Sequence, residues 1–111
     1  MDSILTSIKK KLGIEEEYTH FDDQLIVVIN SVFGILFQLG VGPKDAPYSI
    51  ESKNNTWDEF LVGNQIQTVK DYIWVKVKLL FDPPSSSFVL ASYQDLAKEF
   101  EWRCNVDSET P

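Results

Sequence analysis

Residues 65–87, QIQTVKDYIWVKVKLLFDPPSSS, decide the fold of this chain. Two readings compete for it. Trp74 to Leu79 (WVKVKL) alternates apolar and polar residues, as a half-buried strand does. Over the longer window, however, Ile66, Val69, Ile73, Val77 and Leu80 recur at i, i+3, i+7, i+11 and i+14, one face of an α-helix. Tyr72, Trp74, Val75, Leu79 and Phe81 cover much of the remaining circumference, which predicts a central helix contacted from several sides. The periodicity runs for about four turns, longer than an ordinary strand, so helix is the expected state. Asp82-Pro83-Pro84 ends it: proline has no N–H to donate and pushes its predecessor out of the α region.

Outward from this stretch the same period repeats. A first helix is expected from about Ser3 to Leu12, with Ile4, Leu5, Ile8 and Leu12 inward, Asp2 or Ser3 as cap and Gly13 as the left-handed residue after it. The Lys9-Lys10-Lys11 run falls in its last turn, where positive charge suits the helix dipole. That run and the Glu15-Glu16-Glu17 run after it both read as solvated. Residues 14–21 form a polar connector. A second helix starts at Asp22 or Asp23, with Phe21 as a hydrophobic staple, and ends at Gly40. Leu25, Val28, Ile29, Val32, Leu36 and Leu39 give its face; Ile26, Phe33, Ile35 and Phe37 broaden that face almost all round. Gly34 in its interior suggests close helix packing.

Residues 40–56 (GVGPKDAPYSIESKNNT) form a long irregular loop, of a length that tends to be functional or disordered. Thr56-Trp57-Asp58-Glu59 has the form of a capping box opening one short helical turn to about Val62. A last helix is expected over about Phe88 to Cys104, capped by Ser87 or, in a shorter version, by Ser92, with Leu90, Tyr93, Ala97, Phe100 and Cys104 inward. Residues 105–111 are a polar tail, expected to be disordered. The expected fold class is therefore all-α: a bundle of about four helices plus one short helical turn, forming a single domain over residues 1–104 around the 40–56 loop.

Bulk properties narrow the function. The 111 residues carry a net charge of −7, spread as eight acids against five bases in residues 1–55 and nine against five in 56–111. Arg103 is the only arginine. Nucleic-acid readers cluster lysine and arginine to neutralise phosphates, which this chain does not do. A helix-turn-helix needs a basic recognition helix, whereas the last helix sets Asp95, Glu99 and Glu101 against Lys98 and Arg103. A single cysteine, Cys104, excludes an internal disulfide and fits a reducing compartment. The N-terminal charges follow a short apolar stretch, opposite to a secretory signal, and Leu25 to Val41 is too short and too polar to span a membrane.

Little catalytic chemistry is present. His20 is the only histidine and sits in a polar connector, so neither a histidine metal site nor a Ser-His-Asp triad has support. Cys104 has no C-x-x-C partner and reads as a buried structural thiol. Asp22-Asp23 serves a helix start as well as a carboxylate pair would serve catalysis. No EF-hand frame surrounds Glu15-Glu16-Glu17, and no phosphate loop follows Gly40-Val41-Gly42-Pro43. No catalytic residue, metal ligand or cofactor site is expected. What remains is a surplus of aromatics: three Trp, four Tyr and seven Phe. A small helical domain cannot hide that many, so some should face partners.

The order of motifs is specific: a short helix ending in KKKLGI, an acidic connector, DDQLIVVINSVFGILFQLG, a Gly/Pro loop, YIWVKVKLLFDPPSSS, and a terminal helix with EFEWR. Over about residues 3–106 this order resembles the head–tail connector (adaptor) proteins of tailed bacteriophages with long non-contractile tails, particularly those infecting Gram-positive bacteria. The resemblance rests most on Phe81–Ser87 and Glu99–Arg103. It implies a small helical subunit, made in the host bacterial cytoplasm, that closes a ring of identical copies beneath the portal and extends the DNA channel toward the tail. The implied partners are other copies of the chain, the portal protein, a tail-proximal stopper or tail-completion protein, and DNA that passes without sequence-specific binding. No membrane is implied. An acidic subunit would let packaged DNA slide past, and the 40–56 loop would order on assembly. The family carries no catalytic residues. The expected interface residues are Pro43, Lys44 and Tyr48 in the loop and Trp102 and Arg103 on the last helix. The alternative is a small helical protein-interaction or regulatory protein; an enzyme is a distant third, which turnover dependent on His20 or Cys104 would revive.

Overall fold

A computed structural model describes residues 3–41, 45–57 and 66–109, the last of these with side chains to Arg103 and from Gln67. Four α-helices make up the regular structure of the described residues: α1 (Ile4–Leu12), α2 (Asp22–Gln38), α3 (Ile66–Phe81) and α4 (Ser87–Glu109). The fold is all-α, and the 65–87 stretch is helical, not a strand.

α3 is the axis of the bundle. It packs most extensively on α4, then on α2, while α1 lies against both α2 and α3. Val69, Tyr72, Ile73, Val75 and Val77 are buried, so α3 is covered from more than one side. Lys76 and Lys78 explain how Val-Lys-Val-Lys fits a helix: their stems are half-buried while their ammonium groups reach Glu101 at 3.6 Å and Asp82 at 2.9 Å. Leu80, expected on the inner face, is 54 % exposed, while its neighbours Leu79 and Phe81 pack against the core. The Pro83-Pro84 turn reverses the chain, and Tyr72 Oη donating to Glu101 and Trp74 meeting Tyr93 set α3 and α4 antiparallel.

The α1 start follows its sequence signal: the Ser3 side chain accepts from the Thr6 N–H, and Gly13 at φ 80° closes the helix. α2 starts at Asp22, as expected, but its capping differs. Phe21 occupies the cap position and gives no side-chain bond, Asp22 is the first helical residue, and Phe21 packs edge-on against Phe81 at 5.5 Å. α2 ends at Gln38 with Gly40 left-handed beyond it, as expected. α4 is capped by neither Ser87 nor Ser92 but by Ser86, whose Oγ accepts from the Val89 N–H; Ser92 Oγ instead donates to the Phe88 carbonyl within the helix. α4 continues to Glu109, past the expected end at Cys104. The capping box and helical turn expected over 56–62 lie, beyond Trp57, outside the described residues, as does the Cys104 side chain.

The core joins Ile4, Leu5 and Ile8 of α1 with Leu25, Ile29, Val32, Phe33 and Leu36 of α2, the inner residues of α3, and Ala97 of α4. The molecule's shortest extent is 20 Å, about two helix diameters, so most helices keep one face at the surface. The lysine run at the end of α1 is not wholly solvated. Lys9 is only 2 % exposed; its ammonium donates to the carbonyls of Glu16 and Tyr18, at 3.0 and 2.7 Å. Asp22 Oδ1 stands 2.9 Å from it, close enough for an ion pair but not aligned as a hydrogen bond. The connector thus folds back over the end of α1.

Gly34 makes no close helix approach: a Cβ built there meets nothing within 4 Å. Gly34→Ala should therefore stabilise the domain by about 1 kcal/mol through helix propensity alone, read as a higher urea midpoint. A lower midpoint would restore a packing role for this glycine.

Candidate interaction surface

The long loop is seated on the bundle over its described part, 45–57. Asn30 on α2 binds Ile50 in both directions: the Ile50 N–H donates to Asn30 Oδ1 at 2.8 Å, and Asn30 Nδ2 donates to the Ile50 carbonyl at 3.0 Å. Ile50 is buried, and Tyr48 packs edge-on against Phe33 at 5.1 Å. Asn55 Oδ1 accepts from the N–H groups of Glu51 and Ser52, which makes a tight local turn. The Asn55 carbonyl then receives the Ile4 N–H, one of the free donors at the start of α1. This part of the loop is ordered by its own chain, contrary to the expectation that it orders only on assembly. Asn30→Ala should cost about 2 kcal/mol, because two part-buried backbone groups lose their partner at once. Urea denaturation measures it; a change within error would mean that water replaces the amide.

Of the expected interface residues, Pro43 and Lys44 lie outside the described residues. Tyr48 is half-buried on α2. Trp102 is 66 % exposed on the outer side of α4. Arg103 is exposed beside it and pairs with Glu99 at 2.9 Å, one turn back. Tyr48 and the Trp102–Arg103 pair therefore belong to different elements. Phe88 at 80 % and Val89 at 37 % exposed add apolar surface at the start of α4, and Leu80 is exposed near the end of α3. A groove of about 470 Å³ opens beside Leu80, lined by Leu12, Ile14, Phe21, Val28 and Phe81.

The sequence reading passed over a second groove. Between α1 and α3 lies a space of about 590 Å³ walled by Ser7, Ile8, Lys10, Lys11, Gln67, Lys70 and Asp71, with half-buried Trp74 on one side and the buried Trp57 at its base. Trp57 is buried where α1, the loop end and α3 meet: its Nε1 donates to Ser7 Oγ at 3.2 Å, and the Lys70 ammonium lies 5.2 Å from its ring centre. The groove's sequence signal was the Lys9-Lys10-Lys11 run, which alone indicates no more than a solvated helix end.

His20 is exposed, edge-on to Phe21 at 4.9 Å. Among the described residues no group of three His, Cys, Asp or Glu side chains stands close enough to hold a metal ion. No described helix is long and apolar enough to cross a membrane. No curated protein and no solved structure matches the chain. A family model described as Phage connector protein matches residues 4–111.

Proposed function

The chain belongs to the phage connector protein family, and from that premise we propose that it forms a ring beneath the portal that joins the DNA-filled head to the tail and extends the DNA channel. The family assignment makes it a structural component that assembles with other phage head and tail proteins. The observation that carries the reading is the extent of the family match, which takes in all four helices and the loop. Two physical features support the finer role. The charge of −7 disfavours binding of phosphates, as a wall beside moving DNA requires. Trp102, Phe88 and Leu80 stand exposed, more apolar surface than a solitary subunit of this size needs. A ring built from one patch against a different one buries such residues by cyclic closure.

Immunogold labelling of intact particles tests the placement. Label at the single vertex where head meets tail is the expected result; label over the capsid faces or at the tail tip would contradict it. Pro43, Lys44, Tyr48, Trp102 and Arg103 remain the proposed contact residues, Trp102 the foremost because aromatic anchors dominate interface energies.

A further inference from the structure

From Leu12 to Pro43 the chain contains no lysine or arginine, yet it carries Glu15, Glu16, Glu17, Asp22 and Asp23. Asp22 is taken by Lys9, whereas Glu15, Glu16, Glu17 and Asp23 are exposed and pair with no cation among the described residues. Lys78, at the end of α3, is occupied by Asp82. The connector therefore presents an uncompensated acidic surface. Lys10, Lys11 and Lys70 form its opposite: three ammonium groups around one groove, none paired with a carboxylate. Asp71, also in that groove, already accepts from Gln67 Nε2 at 3.0 Å. The two surfaces adjoin, since Ser7 and Lys10 of α1 border both the lysine groove and a second hollow of about 660 Å³ that Glu15 and Glu16 also line.

We propose that this two-signed face is self-complementary: in the free chain two copies pair about a two-fold axis, the Glu15-Glu16-Glu17 segment of each lying against Lys10, Lys11 and Lys70 of the other. Patches of opposite sign set side by side each meet their complement under a two-fold rotation, so one contact forms every ion pair twice. A single exposed ion pair contributes little, but a network from both halves adds up. Two chains of charge −7 also repel at long range. Pairing is therefore expected where salt screens beyond about 10 Å but not at contact, near about 0.1 M, and is lost near about 1 M. The inference concerns the subunit before assembly and does not rest on the ring reading.

Sedimentation equilibrium of the purified chain tests this. A dimer at about 0.1 M salt that dissociates at about 1 M is the expected result; a monomer at both overturns the proposal. One variant, Lys10→Glu with Lys11→Glu, makes both patches acidic; another, Glu15→Lys with Glu16→Lys, makes both basic. All four side chains are exposed, and circular dichroism checks that helix content is unchanged. Each variant alone should dimerise roughly tenfold more weakly or worse, because like charges now face each other. An equimolar mixture of the two should pair, since each patch again meets its opposite. Undiminished dimers from either variant alone, or no pairing in the mixture, would overturn the reciprocal contact. The connector role is read separately, from whether particles made with a stop codon in place of Trp57 carry tails.

Discussion

Trp57→Ala should lower the unfolding free energy by about 4 kcal/mol, the scale of deleting a fully buried tryptophan. Trp57 is 1 % exposed and holds three parts of the chain together. Its Nε1 donates to Ser7 on α1, its ring lies beneath Lys70 on α3, and its backbone ends the loop seated on α2. Truncation removes the burial, the hydrogen bond and the cation–π contact together. Against a total stability of about 5–15 kcal/mol for a domain of this kind, that loss brings folding close to its threshold. Equilibrium urea denaturation followed by far-ultraviolet circular dichroism gives the number. Trp57→Phe should lose much less, since the ring volume is largely kept and only the N–H contact to Ser7 disappears. Equal losses for the two variants would show that the hydrogen bond, and not packing, is what the site needs.

The second large effect is expected at the lysine clamp. Asp22→Ala should cost about 3 kcal/mol, because it leaves a buried ammonium without its counter-charge. Lys9 has a side chain only 3 % exposed, so water cannot replace the carboxylate without opening the connector. The carbonyls of Glu16 and Tyr18 moderate the loss but carry no full charge. Lys9→Met should also destabilise, by stranding those carbonyls. The double variant should cost less than the two single losses added together, since the second change removes the charge that the first left unpaired. Additive losses would mean that Lys9 and Asp22 are coupled weakly and that the two carbonyls alone hold the ammonium.

The helices were legible because their signals are local. Gly13 after α1, the Pro83-Pro84 stop and the period of Val69, Ile73 and Val77 each act within a few residues, and each is found where the sequence places it. The alternation in Trp74 to Leu79 misleads only if every lysine must be solvated; with partners at Glu101 and Asp82 the helix accepts Lys76 and Lys78 at half-buried positions. The features that were not legible depend on distant chain. Lys9 is buried because the connector carbonyls turn back upon it, which no residue type within the lysine run announces. The loop is anchored by Asn30, twenty residues before Ile50 in the chain. The groove needs Lys10 and Lys11 from α1 and Lys70 from α3, elements brought together only by the core between them. Exposed Trp102 was accessible to composition arguments, since a bundle about two helices thick has too little interior for every aromatic ring.

The central claim is that this chain joins head to tail, and electron microscopy of particles assembled with a stop codon in place of Trp57 tests it most directly. Filled heads without tails, alongside complete free tails, are the result this account predicts. Normal tailed and infectious particles would contradict it.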